Sequence, residues 1–330
     1  MQRIIFPKDI EIQKKDPSEK VWLLPPEGQL YKINMHTHST VSDGKFTPEQ
    51  LKKLYMEQGY HAVAYTDHNK CVPHPELTDE NFVALTGVEV AFSRHDESGY
   101  TDKTVHINAV ARDPQMETVI KPMPLDYDII NRTIEELNGL GCIVTMNHPV
   151  FSVMSTDDLL QIHGFHGMEV YNSVGTMFNN YSDDSAFYEY FLRNGGRAVP
   201  IGGDDCHMKC EDDSPAQEYF QGFTVVKAKE LTYDALIKGI DESALFASTG
   251  PMFHNLWLEG DMLHVECSPV CGVFVHGKYL SFKAAEMEKT DCLTHVEIDI
   301  SGLRAISPYI WVQLRDCSGK KAWATPYWFE

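Results

Sequence analysis

Basic residues are scarce in this chain: 28 Lys and Arg stand against 48 Asp and Glu, a formal net charge of −20. That balance excludes a large nucleic-acid duplex surface, because phosphate binding needs clustered cations. Bound divalent cations would still reverse the local field wherever carboxylates line a site. Long apolar runs are missing too: nothing approaches the ~20 residues that span a bilayer, so no membrane partner is expected. Met1 to Asp9 lack the apolar core of a signal peptide, and a soluble, cytoplasmic protein is the expectation. The eight cysteines are scattered and form no C-x-x-C pair. Neither a zinc ribbon nor a thioredoxin-like motif is indicated, and reduced thiols are expected.

What the chain does have is histidine in one kind of place. Six of its fifteen histidines fall at or near the ends of predicted strands. The leading stretch is Asn34-Met35-His36-Thr37-His38, which follows an alternating Tyr31, Ile33, Met35 pattern. Residues two apart on a strand project from one face, so two imidazoles can share a metal ion. Asp43 lies in the following loop, within reach as a carboxylate ligand.

The 330 residues, 43% of them hydrophobic, suit one large domain plus a smaller one. Residues 1–30 read as an N-terminal arm, with an alternation of Ile4, Phe6, Ile10 and Ile12. Residues 31–250 alternate strands and helices. Strands are predicted at 62–66, 82–88, 103–110, 142–146, 167–172, 198–203 and 222–226. Helices are predicted near 49–54, 127–140, 183–193 and 233–240. Such alternation implies a parallel sheet with right-handed crossovers, here a closed or nearly closed barrel with its site at the strands' C-terminal rim. Residues 251–330 change to short alternating strands between Gly, Asp and Ser turns, as in a small all-β sandwich.

Collected in order, the strand-end residues are His36, His38, Asp43, His68, Glu89, His106, His148, Asp205 and His207. Imidazole and carboxylate suit zinc, iron and manganese. Nine such groups exceed the needs of a single ion, so two or three divalent metal ions are implied. The motifs H-T-H with Asp43, T-D-H at 66–68, G-V-E at 87–89, V-H at 105–106, N-H-P at 147–149 and G-G-D-D-C-H at 202–207 resemble the PHP (polymerase and histidinol phosphatase) superfamily, over about residues 31 to 210. The resemblance implies a distorted (β/α)7 barrel and a trinuclear metal centre. It would place His36, His38, Glu89 and Asp205 on one ion, Asp43, His68 and His207 on a second, and Glu89, His106 and His148 on a third. Glu89 would bridge. The Asp43 form is similar to stand-alone phosphoesterases. The T-D-H-N spelling and the C-terminal strands are similar to a branch that includes aryl carbamate hydrolases.

Two close ions lower the pKa of a bridging water and clamp the attacking and leaving oxygens of a displacement. A metal-dependent phosphoesterase acting on a small soluble phosphate ester is therefore the leading expectation. A carbamate, amide or carboxylic ester hydrolase on the same site is the alternative, and a glycan- or protein-binding role for the C-terminal strands is a third. Asp67 is a candidate orienter or general acid/base, and His207 a candidate catalytic group. Arg94, Arg112, Lys209 and Asn172 are candidates for holding substrate. Homo-oligomerisation is left open.

Overall fold

The computed structural model describes residues 16, 18, 20–209, 218–279, 282–286 and 292–329. The alternation at Ile4, Phe6, Ile10 and Ile12 lies outside them. The fold is mixed α/β and rich in strand. No helix among the described residues is long and apolar enough to cross a membrane.

Buried strands of Val, Ile, Leu and Ala build the main sheet. Along it, neighbours run Val199–Gly203, Gly167–Asn172, Cys142–Met146, Thr101–Ala111, Val83–His95, Ala62–Tyr65, Gln29–Asn34, then Phe223–Ala228. Gln29–Asn34, Ala62–Tyr65 and Val83–His95 pair in parallel, as do Cys142–Met146, Gly167–Asn172 and Val199–Gly203. Helices begin where the sequence offers caps. Thr47 and Gln50 form a capping box ahead of Pro48–Glu57, and Asp126 accepts from Asp128 and Ile129 at the start of Tyr127–Gly139.

The sheet departs from uniform parallel order at Phe223–Ala228, antiparallel to Gln29–Asn34, and at Thr101–Ala111, which runs antiparallel to both of its neighbours. Only a short turn separates it from Val83–His95, with Asp96 accepting from Ser98 and Tyr100 and with Gly99 at φ +86°. That is a hairpin connection, too short for the crossover a parallel pair demands. The sheet also curls until its first strand lies against Phe223–Ala228. Gly202 N–H donates to Thr224 Oγ1 at 3.0 Å, and the Thr224 hydroxyl donates to Gly202 O at 2.9 Å. A Cβ on Gly202 would come within 2.5 Å of Phe223 O, so only glycine allows that approach.

Beyond Phe223–Ala228 the sheet continues through Leu245–Ser248, Lys321–Ala324, Tyr309–Arg315, Gly272–His276 and Phe282–Glu286. A separate four-stranded sheet is formed by Lys20–Leu24, Phe253–Glu259, Met262–Val270 and Leu293–Asp299. Leu256, Leu258, Leu263 and Val265 of this sheet share one core with Val273, Val275, Val312 and Leu314 of the other. The short strands expected within residues 251–330 form, among them those around Val265, Val275, Val296 and Val312. The C-terminal layers thus pack through alternating residues, as half-buried strands do.

Candidate metal centre

The parallel register carries the ends of several strands to one place. The His36–His38 segment is pinned between two neighbours: Asp205 N–H donates to His36 O and His38 N–H donates to Cys206 O, each at 2.9 Å. On its other side Thr37 N–H donates to Thr66 Oγ1 at 3.0 Å. Cys206 consequently turns into the core, where burial pushes its thiol well up.

Glu89 stands inside its long strand rather than at its end, and it is fully buried. Its Oε1 lies 3.2 Å from His36 Nε2, 2.9 Å from His106 Nδ1 and 3.4 Å from His148 Nε2. Its Oε2 lies 3.3 Å from His38 Nε2 and 2.9 Å from His68 Nδ1. Asp205 Oδ1 is 3.2 Å from His36 Nε2 and 2.9 Å from His38 Nε2. The half-exposed Asp43 reaches His207 Nε2 at 3.4 Å and His68 Nε2 at 3.8 Å. All nine residues singled out in the sequence are thereby brought together. Their donor atoms fall into the sets His36, His38, Glu89, Asp205; His38, Asp43, His68, His207; and Glu89, His106, His148.

The residues present fit a group of cations. His36 Nε2 and His38 Nε2 face each other at 3.2 Å, and the contact of His36 Nδ1 with Glu169 leaves a lone pair on His36 Nε2 to offer a cation. Glu89 Oε2 and Asp205 Oδ1 are buried without a hydrogen bond, a costly state unless a positive charge compensates it. Without metal, protons take that part. Burial opposes charging of His36, His38, His68 and His148, yet the surrounding carboxylates raise all four, His148 to about 9. Burial likewise opposes ionisation of Glu89 and Asp205, and the imidazoles overcome it to hold both well below the usual carboxylate range. His106 goes the other way, lowered by burial. Left-handed backbone at Asp205 (φ 52°) and Met208 (φ 55°) marks local strain of the kind that gathers at functional sites.

A surrounding shell orients these groups. Glu169 sits 2.9 Å from His36 Nδ1 through Oε1, while its Oε2 accepts from His148 N–H and Asn172 Nδ2, both at 2.8 Å. The ring Nδ1 of His148 meets Ser152 Oγ at 2.9 Å, and that of His207 meets Asp205 O at 2.8 Å. Such contacts turn Nε2 towards the cluster. Asp184 accepts from Val150 N–H at 2.7 Å and so fixes the loop after His148. The Asp67 carboxylate is fully engaged: Oδ1 accepts from Ser39 N–H, Ser42 N–H and Ser42 Oγ–H, and Oδ2 from Ser39 Oγ–H, at 2.6 to 3.0 Å. It thereby clamps the turn that leads to Asp43.

The other candidates separate cleanly. Lys209 lies at the cluster, its Nζ 3.1 Å from Asp43 Oδ2. Asn172 is buried there and also reaches Asp205 Oδ2 at 3.4 Å. Arg94 lies five residues beyond Glu89 along the extended strand, roughly 16 Å away, and its guanidinium is paired with Asp102. Arg112 follows His106, but its strand runs antiparallel, so the chain has returned to where Cys142–Met146 begins, roughly 20 Å from the site. There it is held by Asp241 and Cys142 O. The positioning contacts of Asp184, Ser39 and Ser42 escaped the sequence reading; Glu169, Asn172 and Asn147, in or just after predicted strands, gave a local signal. A further cluster, His264, His295 and Glu297, lies on the C-terminal four-stranded sheet.

No family model and no curated protein matches the sequence. Among solved structures, a two-domain protein of Bacteroides vulgatus containing a predicted PHP-like metal-dependent phosphoesterase aligns over 100% of this chain and 99% of its own, at 15% identity and TM-score 0.47. An amidohydrolase of Chromobacterium violaceum aligns over 56% of this chain and 92% of its own, at 17% identity and TM-score 0.39. A protein of Bifidobacterium adolescentis assigned as a metal-dependent phosphoesterase aligns over 66% and 96%, at 17% identity and TM-score 0.41. The chain is thus similar to PHP-like metal-dependent phosphoesterases and to an amidohydrolase, at low sequence identity.

Proposed function

We propose that this protein is a metal-dependent hydrolase that cleaves a small phosphate ester. The observation that carries the reading is the buried cluster itself: six imidazoles and two carboxylates with unsatisfied oxygens, open to solvent at Asp43 and Lys209. Divalent ions held there (zinc, iron or manganese) would supply a nucleophilic water at neutral pH and a clamp for charged oxygens.

The residues of the chain do the rest. His36, His38, Glu89 and Asp205 would hold one ion, Asp43, His68 and His207 a second, and Glu89, His106 and His148 a third. Glu89 is the group placed to serve more than one, since its two oxygens face different imidazoles. Asp67 positions the Asp43 turn, and Asn172 and Glu169 orient Asp205, His36 and His148. Lys209 is the cation best placed for a phosphate, which brings about two negative charges. Residues 31–250 form the hydrolase unit in this reading, a distorted (β/α)7 barrel with residues 251–330 appended as a β-sandwich.

A second reading, hydrolysis of carbamate, amide or carboxylic esters, is favoured by the carbon side chains of Phe151 and Phe178 at the same cleft. A panel of phosphomonoesters and aryl carbamates, run with Mn, Zn and Fe, tests both. Release of phosphate with no carbamate turnover is expected; carbamate turnover alone would replace the first reading by the second.

A further inference from the structure

Resting on the hydrolase reading above, we propose that the cleft over the metal centre accepts an aryl or similarly flat apolar leaving group, with Phe178 and Phe151 as its wall. The cleft has a volume of about 140 Å³, room for one small substrate, and two chemistries line it. One is the cluster itself with Lys209. The other is carbon only, from Phe151, Val174 and Phe178.

The two aromatic rings continue outward from a cluster residue. Phe151 packs edge-on against the His148 ring at 5.3 Å, and Phe178 lies 5.7 Å from Phe151. Phe178 closes the short helix Val174–Phe178 and is 58% exposed. A large ring left in water at the mouth of a cleft gains most by covering another apolar surface. The hydroxyls of a sugar would lose water against these side chains and find no replacement. A flat ring loses nothing there.

The chemistry of departure points the same way. An aryl oxide is far less basic than an alkoxide and depends less on a proton donor as it leaves, and the carbon side of the cleft supplies none. Of the remaining lining groups, His68, His106 and His207 belong to the cluster and Lys209 is paired with Asp43. An aryl oxide can leave unprotonated. Water oxygen bonds to phosphorus, the bond from phosphorus to the aryl oxygen breaks with its electron pair on that oxygen, and the proton lost by water reaches it through solvent. The products are a phenol and inorganic phosphate.

Two non-hydrolysable monoester analogues test this by isothermal titration of the Mn-loaded protein. Phenylphosphonate should bind at least about tenfold more tightly than methylphosphonate, and Phe178→Ala should cut that ratio to about three or less. Phe178→Leu, which keeps carbon at the site, should retain more of the ratio than alanine. Because Phe178 is exposed, its variants should unfold at the wild-type temperature. Equal affinity in wild type, or a ratio unmoved by Phe178→Ala, would overturn the proposal. Failure of both phosphonates to bind would instead remove the phosphoester reading. The wall is then judged on phenyl and ethyl acetate: a phenyl preference lost in Phe178→Ala sustains it, and one indifferent to Phe178 overturns it.

Discussion

Two groups of histidines and carboxylates stand in this chain, and water treats them differently. In the cluster on the main sheet, His36, His38, Glu89 and Asp205 are buried. On the C-terminal sheet, His264 Nδ1 and His295 Nε2 approach Glu297 Oε1 at 3.5 and 3.6 Å, but the side chains of His295 and Glu297 are 49% and 57% exposed. The residue types and distances are alike. Solvated pairs of this kind contribute about 0–1 kcal/mol, since water already satisfies each partner. Buried charges cost several kcal/mol each to desolvate, so the first group persists only with compensation from protons or metal. Burial, more than composition, marks which cluster is the centre.

That contrast is sharpest at Glu89, the carboxylate facing five imidazoles. Glu89→Gln should remove more than one ion per chain by elemental analysis and lower turnover by about a thousandfold or more, a scale set by losing a shared ligand of a catalytic centre. Full metal content with normal turnover would dissolve the distinction between the two clusters.

His207→Ala comes next, with an expected loss of about a hundredfold in turnover. The variant should stay folded, with its thermal unfolding lowered by no more than the loss of one ion allows, because His207 sits at the edge of the cluster beside the half-exposed Asp43. A folded variant with near wild-type turnover would take His207 out of the centre.

Chelation should then lower the unfolding temperature by several degrees. An ion at a hundred times its dissociation constant stabilises by about 2.7 kcal/mol. The paired variant His264→Gln, His295→Gln should move the same temperature by no more than about 1 °C. An equal shift in both experiments would mean that the exposed cluster also carries an ion.

Acidity separates the two states of the buried cluster with a smaller effect. The folded-state pKa of His148 is raised to about 9, above the ~6.5 of an unfolded histidine. Its contribution is therefore fully present below about pH 6.5 and is lost as pH rises through 9. Metal-stripped protein should lose stability over that window. Metal-loaded protein should instead gain stability as pH rises from acid towards neutrality, because ligation requires neutral imidazole. Urea unfolding at a series of pH values reads both slopes, and parallel slopes would refute the exchange of protons for metal.

The nine cluster residues were legible because each rides in a short motif beside a strand whose apolar pattern is plain, as His148 does after Cys142–Met146. Lys209 was legible for the same reason, two residues past His207. Arg112 was not: its distance from the site follows from the reversed direction of Thr101–Ala111, and strand direction depends on the turn before it rather than on the strand's own residues. Arg94 was misleading in another way, because its strand runs on well past Glu89. Phe178 and Asp184 lie far along the chain from the residues they join, so no local pattern announces them.

The pairing of Lys20–Leu24 with Phe253–Glu259 has a consequence for how the molecule is born. At ~5–20 residues per second of synthesis, the first of these segments leaves the ribosome on the order of 10 to 50 seconds before its partner exists. The candidate metal ligands, the last of them His207, are all made within that interval. Nascent chains should therefore reach a metal-competent state while Lys20–Leu24 is still an unpaired strand, available to a chaperone or to a neighbouring chain until the C-terminal sheet arrives to claim it.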